Sequence, residues 1–171
     1  TPPPSKAPWD QAFLPPAPPW QGASQALIRD KSAPWVTAFE ADSEHNFSPT
    51  YADTRAWFQK LDKASPLIRV EDFGVSPQGR EIFAVIASKD GDKLDPKKPL
   101  LLVQAGIHPG EIDGKDAGMM LLRDMAFHGK DALLDKVNLV LIPILSVDGH
   151  ERASAYSRPN QRGPRIQGWR N

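Results

Sequence analysis

From Ser48 onward the apolar residues recur at regular intervals. Tyr51, Trp57, Phe58 and Leu61 lie on or near one helical face, Ser48 or Thr50 stands where an N-cap belongs, and Pro66 stops the run. The pattern predicts a helix through about Ala64. Leu67 to Phe73 and Glu81 to Ala87 read as the strands of a hairpin. They are joined by Ser76-Pro77-Gln78-Gly79, where proline presets φ and glycine supplies positive φ. After a polar loop from Asp90 to Lys98, Leu100 to Ala105 and Asn138 to Leu145 are apolar runs of the kind that form buried strands, with a helix over Ile112 to Phe127 between them. Strands separated by a helix of that length form a crossover and a parallel pair. The expected fold class is α/β, a mixed and mostly parallel sheet with helices on both faces. No internal repeat is visible.

The first part of the chain is different. Nine of the 18 prolines fall within the first 34 residues, interleaved with Trp9, Trp20 and Trp35. Proline lacks a backbone donor and fixes φ, so this stretch runs extended. The expected organisation is a proline-rich arm over residues 1–46 and the first part of a larger domain over 47–171. Pro15-Pro16-Ala17-Pro18-Pro19 has the spacing of a polyproline ligand for an aromatic-lined groove. The alternative is an arm laid over the domain, favoured because burying each large aromatic is worth about 1.5–3 kcal/mol.

Charge excludes some classes. With 21 basic and 21 acidic residues, nothing in the balance argues for a grip on nucleic acid or an anionic membrane. No apolar run approaches the roughly 20 residues of a membrane helix, and no signal peptide lies within the chain. Absence of cysteine excludes disulfides and thiol catalysis but leaves the compartment open.

The candidate chemistry sits at the end of the first buried strand, at His108-Pro109-Gly110-Glu111. Open α/β sheets bind ligands beyond the carboxyl ends of their strands, and an imidazole and a carboxylate three residues apart can close on one zinc ion. As a bare tetrapeptide the pattern is weak, since Glu111 could simply face the N-terminal dipole of the following helix with His108 exposed. The preceding strand, the following helix and a second strand-to-turn junction at Ile144 to Gly149 strengthen it. His150 and Glu151 are weaker candidates, because adjacent residues on extended chain point apart. His45 and His128 read as solvated, and Asp148 reads as a turn residue bonding backbone donors and holding the site. Arg158, Arg162, Arg165 and Arg170 could clamp a carboxylate or face an oxyanion.

Two of these segments together resemble the zinc metallocarboxypeptidases of the M14 type. Ala105 to Glu111 looks like that family's first two zinc ligands, and Ser146 to Arg152 looks like its Asn-Pro-Asp-Gly turn. Arg158 to Pro164 and Gly168-Trp169-Arg170 resemble the stretch leading to its substrate arginines, the whole likeness covering roughly Pro49 to Asn171. The resemblance implies a carboxypeptidase that hydrolyses C-terminal peptide bonds with a zinc-activated water. His108 and Glu111 would be the metal ligands, Arg170 the catalytic arginine facing the oxyanion, and Arg162 and Arg170 substrate-binding. Gly110 departs from the digestive branch, which often has an arginine inside this turn. The family's third histidine ligand, its Asn-Arg pair, its tyrosine and its general-base glutamate belong after Asn171, so the chain is expected to be part of a longer protein. Thr1 in place of methionine likewise suggests a processed or truncated amino end. Export to the periplasm or the exterior is implied by the resemblance alone. Two alternatives remain open: an amidase or deacylase acting on cell-wall peptides or acyl-amino acids through the same zinc site, and a non-catalytic interaction protein with a proline-rich arm.

Overall fold

A computed structural model describes residues 19, 21–43, 45, 47–91, 94–154, 156, 157 and 168. Four strands, β1 (Ile68–Val75), β2 (Glu81–Ala87), β3 (Leu100–Gln104) and β4 (Asn138–Ile142), form one sheet in the order β1-β2-β4-β3. β1 pairs antiparallel with β2, β2 antiparallel with β4, and β3 parallel with β4. The sheet is mixed, as the sequence leads one to expect. Among these strands, however, antiparallel pairing predominates, because a tight hairpin joins β1 to β2 while only the β3–β4 connection carries a crossover helix.

The helices are α1 (Ala38–Ala41), α2 (Tyr51–Ala64), α3 (Asp113–Phe127) and the short α4 (Val147–Glu151). Thr50, not Ser48, caps α2, its hydroxyl accepting from the Asp53 amide. In the hairpin turn Gly79 takes φ +80° and its amide donates to Ser76 O at 2.9 Å. Phe58 and Leu61 of α2 and Met119, Leu122 and Met125 of α3 meet Phe83, Val85, Leu139 and Leu141 in a single core. Alternate strand residues share a face, so both long helices cover the same side of the sheet. Helices on the opposite side are not found among the described elements. α3 approaches closely because Gly118 leaves room for Leu141, whose Cδ2 a β-carbon there would meet at 2.5 Å.

Three expectations need correction. β3 was expected to be buried, yet Leu100, Leu101 and Leu102 are each more than half exposed, because β3 is an edge strand with no further strand beside it among the described residues. β4 ends at Ile142, where Pro143 removes the next ladder donor, and not at Leu145. Residues 147–151 are helical and not an extended turn.

The described part of the arm packs against the helices. Trp35 stacks on Phe127 at 4.9 Å and meets Trp57 edge-on at 6.2 Å. Thr37 and Glu40 form a capping box at α1, and the buried Glu40 carboxylate also accepts from the Arg29 amide at 2.9 Å and from the fully buried Arg123 guanidinium. Trp9 and Trp20 lie outside the described residues.

Candidate active site

β3 delivers Ala105 into a close approach with the chain after β4. Ala105 N donates to Ile142 O at 2.8 Å, and Ser146 N donates to Gly106 O at 2.9 Å. His108 to Glu111 then form a turn closed by the Glu111 amide donating to His108 O at 3.2 Å, with Gly110 at φ +80°. Within it His108 Nδ1 lies 3.1 and 3.2 Å from the two oxygens of Glu111. Tetrahedral zinc with bonds of about 2.1 Å spaces its donors about 3.4 Å apart, so the pair fits two corners of such a site. Both side chains are open to solvent, at 56 % and 45 % exposure. Among the described residues no third carboxylate or imidazole joins them.

The turn rests on α4. Pro109 packs onto Gly149, where any β-carbon would collide with its ring, and a β-carbon at Gly168 would meet Gly110 N, Gly149 O and His150 Cα at 2.8 to 2.9 Å. Asp148 ties this platform to the hairpin. It accepts from Ser76 Oγ at 2.8 Å, Gln78 N at 3.1 Å and Arg80 Nη1 at 2.7 Å, contacts 68 to 72 residues away in sequence. Asp148 thus holds the site through long-range bonds, where a local Asx turn was expected. Burial alone would raise its pKa, but these donors leave it lowered.

His150 and Glu151 do meet, because on helical chain they turn toward one another: His150 Nδ1 lies 2.7 Å from Glu151 Oε1. They turn inward and not toward His108. His150 Nε2 lies 3.3 Å from Nζ of the fully buried Lys115, which also donates to Pro49 O, while Glu151 Oε1 accepts from Tyr51 N at 2.9 Å. Burial pulls the Lys115 ammonium down to about 8, and burial together with Lys115 lowers the His150 pKa. A neutral His150 suits this chain of bonds, with Nδ1–H donating to Glu151 and Nε2 accepting from Lys115. Lys115 was missed in the sequence, although it stands on the apolar stripe of α3 with Met119 and Leu122, where a charge requires a partner. His45, expected in solvent, lies 5.3 Å from the Phe39 ring, its Nδ1 3.2 Å from Phe39 O. His128 is exposed at the end of α3. Arg158, Arg162, Arg165 and Arg170 lie outside the described residues.

This fold is that of the metallocarboxypeptidases. The chain superposes on carboxypeptidase A of Helicoverpa armigera with a TM-score of 0.56 at 21 % identity, covering 61 % of this chain and 26 % of that one. A metallocarboxypeptidase of Burkholderia cenocepacia gives 0.52 at 19 % identity, over 60 % and 28 %. The chain belongs to the zinc carboxypeptidase family, peptidase M14, whose model matches residues 54–170. It is also 26 % identical over 144 residues to an inactive metallocarboxypeptidase of Saccharomyces cerevisiae, covering 79 % of this chain and 32 % of that protein. The chain therefore spans about a third of that relative and about a quarter of the solved structures.

Proposed function

We propose that this chain supplies the first two zinc ligands, His108 and Glu111, of a carboxypeptidase that hydrolyses C-terminal peptide bonds. The observation that carries the reading is the convergence of His108 Nδ1 and both Glu111 oxygens within 3.2 Å, on a turn at the carboxyl end of β3 in a member of this family. His108 would coordinate through Nδ1 of the neutral ring and Glu111 as the anion, the metal taking the place of the proton that the two groups share without it. The Pro109–Gly149 contact holds the backbone of the turn that carries both ligands. Zinc, when bound, acts as a Lewis acid on the scissile carbonyl and acidifies water. Arg170 faces the oxyanion, with Arg162 second in that role. In support, Arg170 falls within the stretch matched by the family model. The protein acts outside the cytoplasm on peptide substrates, and among the described residues no helix is long and apolar enough to cross a membrane.

The inactive yeast relative keeps a non-catalytic reading in play. The intact His108–Glu111 pair argues against it. The experiment is metal analysis and peptide hydrolysis on the complete protein. Bound zinc with C-terminal hydrolysis supports the enzyme, whereas zinc without hydrolysis supports the binding protein.

A further inference from the structure

The loop that joins β1 to β2 contributes no metal ligand, yet its side chains converge on the platform beneath the His108–Glu111 turn. Arg80 Nη1 donates to Asp148 Oδ1 at 2.7 Å and Ser76 Oγ to the same oxygen at 2.8 Å, while the Gln78 amide donates to Oδ2 at 3.1 Å. The loop is itself braced for this. Ser76 N donates to Arg80 O at 2.8 Å, Arg80 N to Ser76 Oγ at 3.0 Å, and Arg80 Nη1 to Gln78 Oε1 at 2.8 Å. The ion pair is mostly withdrawn from solvent, with 32 % exposure for Arg80 and 19 % for Asp148.

α4 needs such an anchor. Its five residues fall far below the roughly 12 to 15 at which an isolated helix becomes even marginal, and its N-cap residue, Ser146, makes no side-chain cap bond. Contacts from outside therefore set its place. Glu151, bonded to Tyr51 N, and His150, against Lys115, hold its far end, whereas Asp148 holds the end beside the turn. Gly149, next to Asp148, is where Pro109 packs, and Ser146 N donates to Gly106 O at 2.9 Å just before the turn begins. A displacement of α4 is thus passed to the backbone that carries His108 and Glu111. We propose that Arg80 is a positioning residue for that turn: acting through Asp148, it fixes Gly149 against Pro109 and so sets how tightly His108 and Glu111 hold a metal. The metal clause rests on the zinc reading of those two residues, and the mechanical tie does not.

The test compares the complete wild-type protein with Arg80→Gln, Arg80→Lys and Ser76→Ala, and with Lys98→Gln as a control. Lys98 makes a comparably buried pair with Asp90 at 2.9 Å, but it lies before β3, at the opposite end of that strand from the turn. Zinc affinity is read by competition with a chromophoric chelator, and amide hydrogen exchange over residues 105–112 is read on metal-free protein. Arg80→Gln should weaken zinc binding about tenfold, the lower end of what loss of an outer-shell partner costs, and should speed the exchange. Ser76→Ala should move both in the same direction. Arg80→Lys, which keeps the charge without the planar guanidinium, should recover part of each, and Lys98→Gln should leave both at their wild-type values. Unchanged exchange in Arg80→Gln, zinc affinity unchanged there while the wild type binds the metal, or equal effects in Lys98→Gln would each overturn the proposal. A wild type that holds no zinc would refute the ligand reading instead, and the exchange comparison would still decide the tie.

Discussion

Asp116 and Glu40 are two buried carboxyls on or against α3 whose surroundings move them in opposite directions. Glu40 has its pKa lowered: burial alone would raise it, but Arg123 and the Thr37 and Arg29 amides outweigh that. Its contribution to stability is present above the ordinary carboxylate range and lost as pH falls through its folded value. Asp116 is raised from 3.8 to about 6, so the folded state holds its proton more tightly than the unfolded chain does. Stability therefore falls as pH rises from about 4 through about 6 and is regained on acidification. Asp116→Asn should raise stability at pH 7 by on the order of 2 kcal/mol and remove that pH dependence, as read by chemical denaturation. A stability unchanged at pH 7 would mean that the carboxylate already has a partner. At the catalytic turn, Arg170→Lys in the complete enzyme should lower kcat about a hundredfold with little change in KM, as for loss of an oxyanion donor. An unchanged kcat would transfer the role to Arg162 or to neither. His108 and Glu111 were legible because ligand types three residues apart after an apolar strand form a local pattern. Asp116, Glu40 and Lys115 were not, since their meaning depends on what packs against them from 35 to 83 residues away.

The elements with the plainest sequence periods, α2, the β1–β2 hairpin and α3, match expectation within a residue or two at most ends. The difference lies in β3. Its run of Leu100 to Val103 has the composition of a strand covered on both faces, and composition cannot say which neighbours provide the cover. Here the strand is an exposed apolar edge, a template for pairing with another chain. Expressed by itself, this 171-residue chain should associate at micromolar concentration, and Leu102→Lys should reduce that association in light scattering. A monodisperse monomer with Leu102 intact would show that the edge is protected. The 147–151 helix was misread as a turn because Asp148-Gly149 is a common turn pair. In the structure the glycine is needed for the approach of Pro109, not for its φ.

At the scale of the molecule, the described residues of the arm meet the family domain through a buried ion cluster and through Trp35, which packs on Trp57 and Phe127 under the Lys60 ammonium. Glu40→Gln leaves Arg123 short of a charged partner at zero exposure and should cost about 3 kcal/mol or more. Deleting the arm from the complete protein should lower its melting temperature and expose apolar surface to dye, because Trp35 would leave Trp57 and Phe127. An unchanged melting temperature would favour a free polyproline ligand. The central claim, that His108 and Glu111 hold zinc for hydrolysis, is tested most directly by elemental analysis of the complete protein beside its His108→Ala and Glu111→Ala variants. One zinc per chain, lost together with carboxypeptidase activity in both variants, is the expected result. Stoichiometric zinc retained in both would contradict it and place the metal elsewhere.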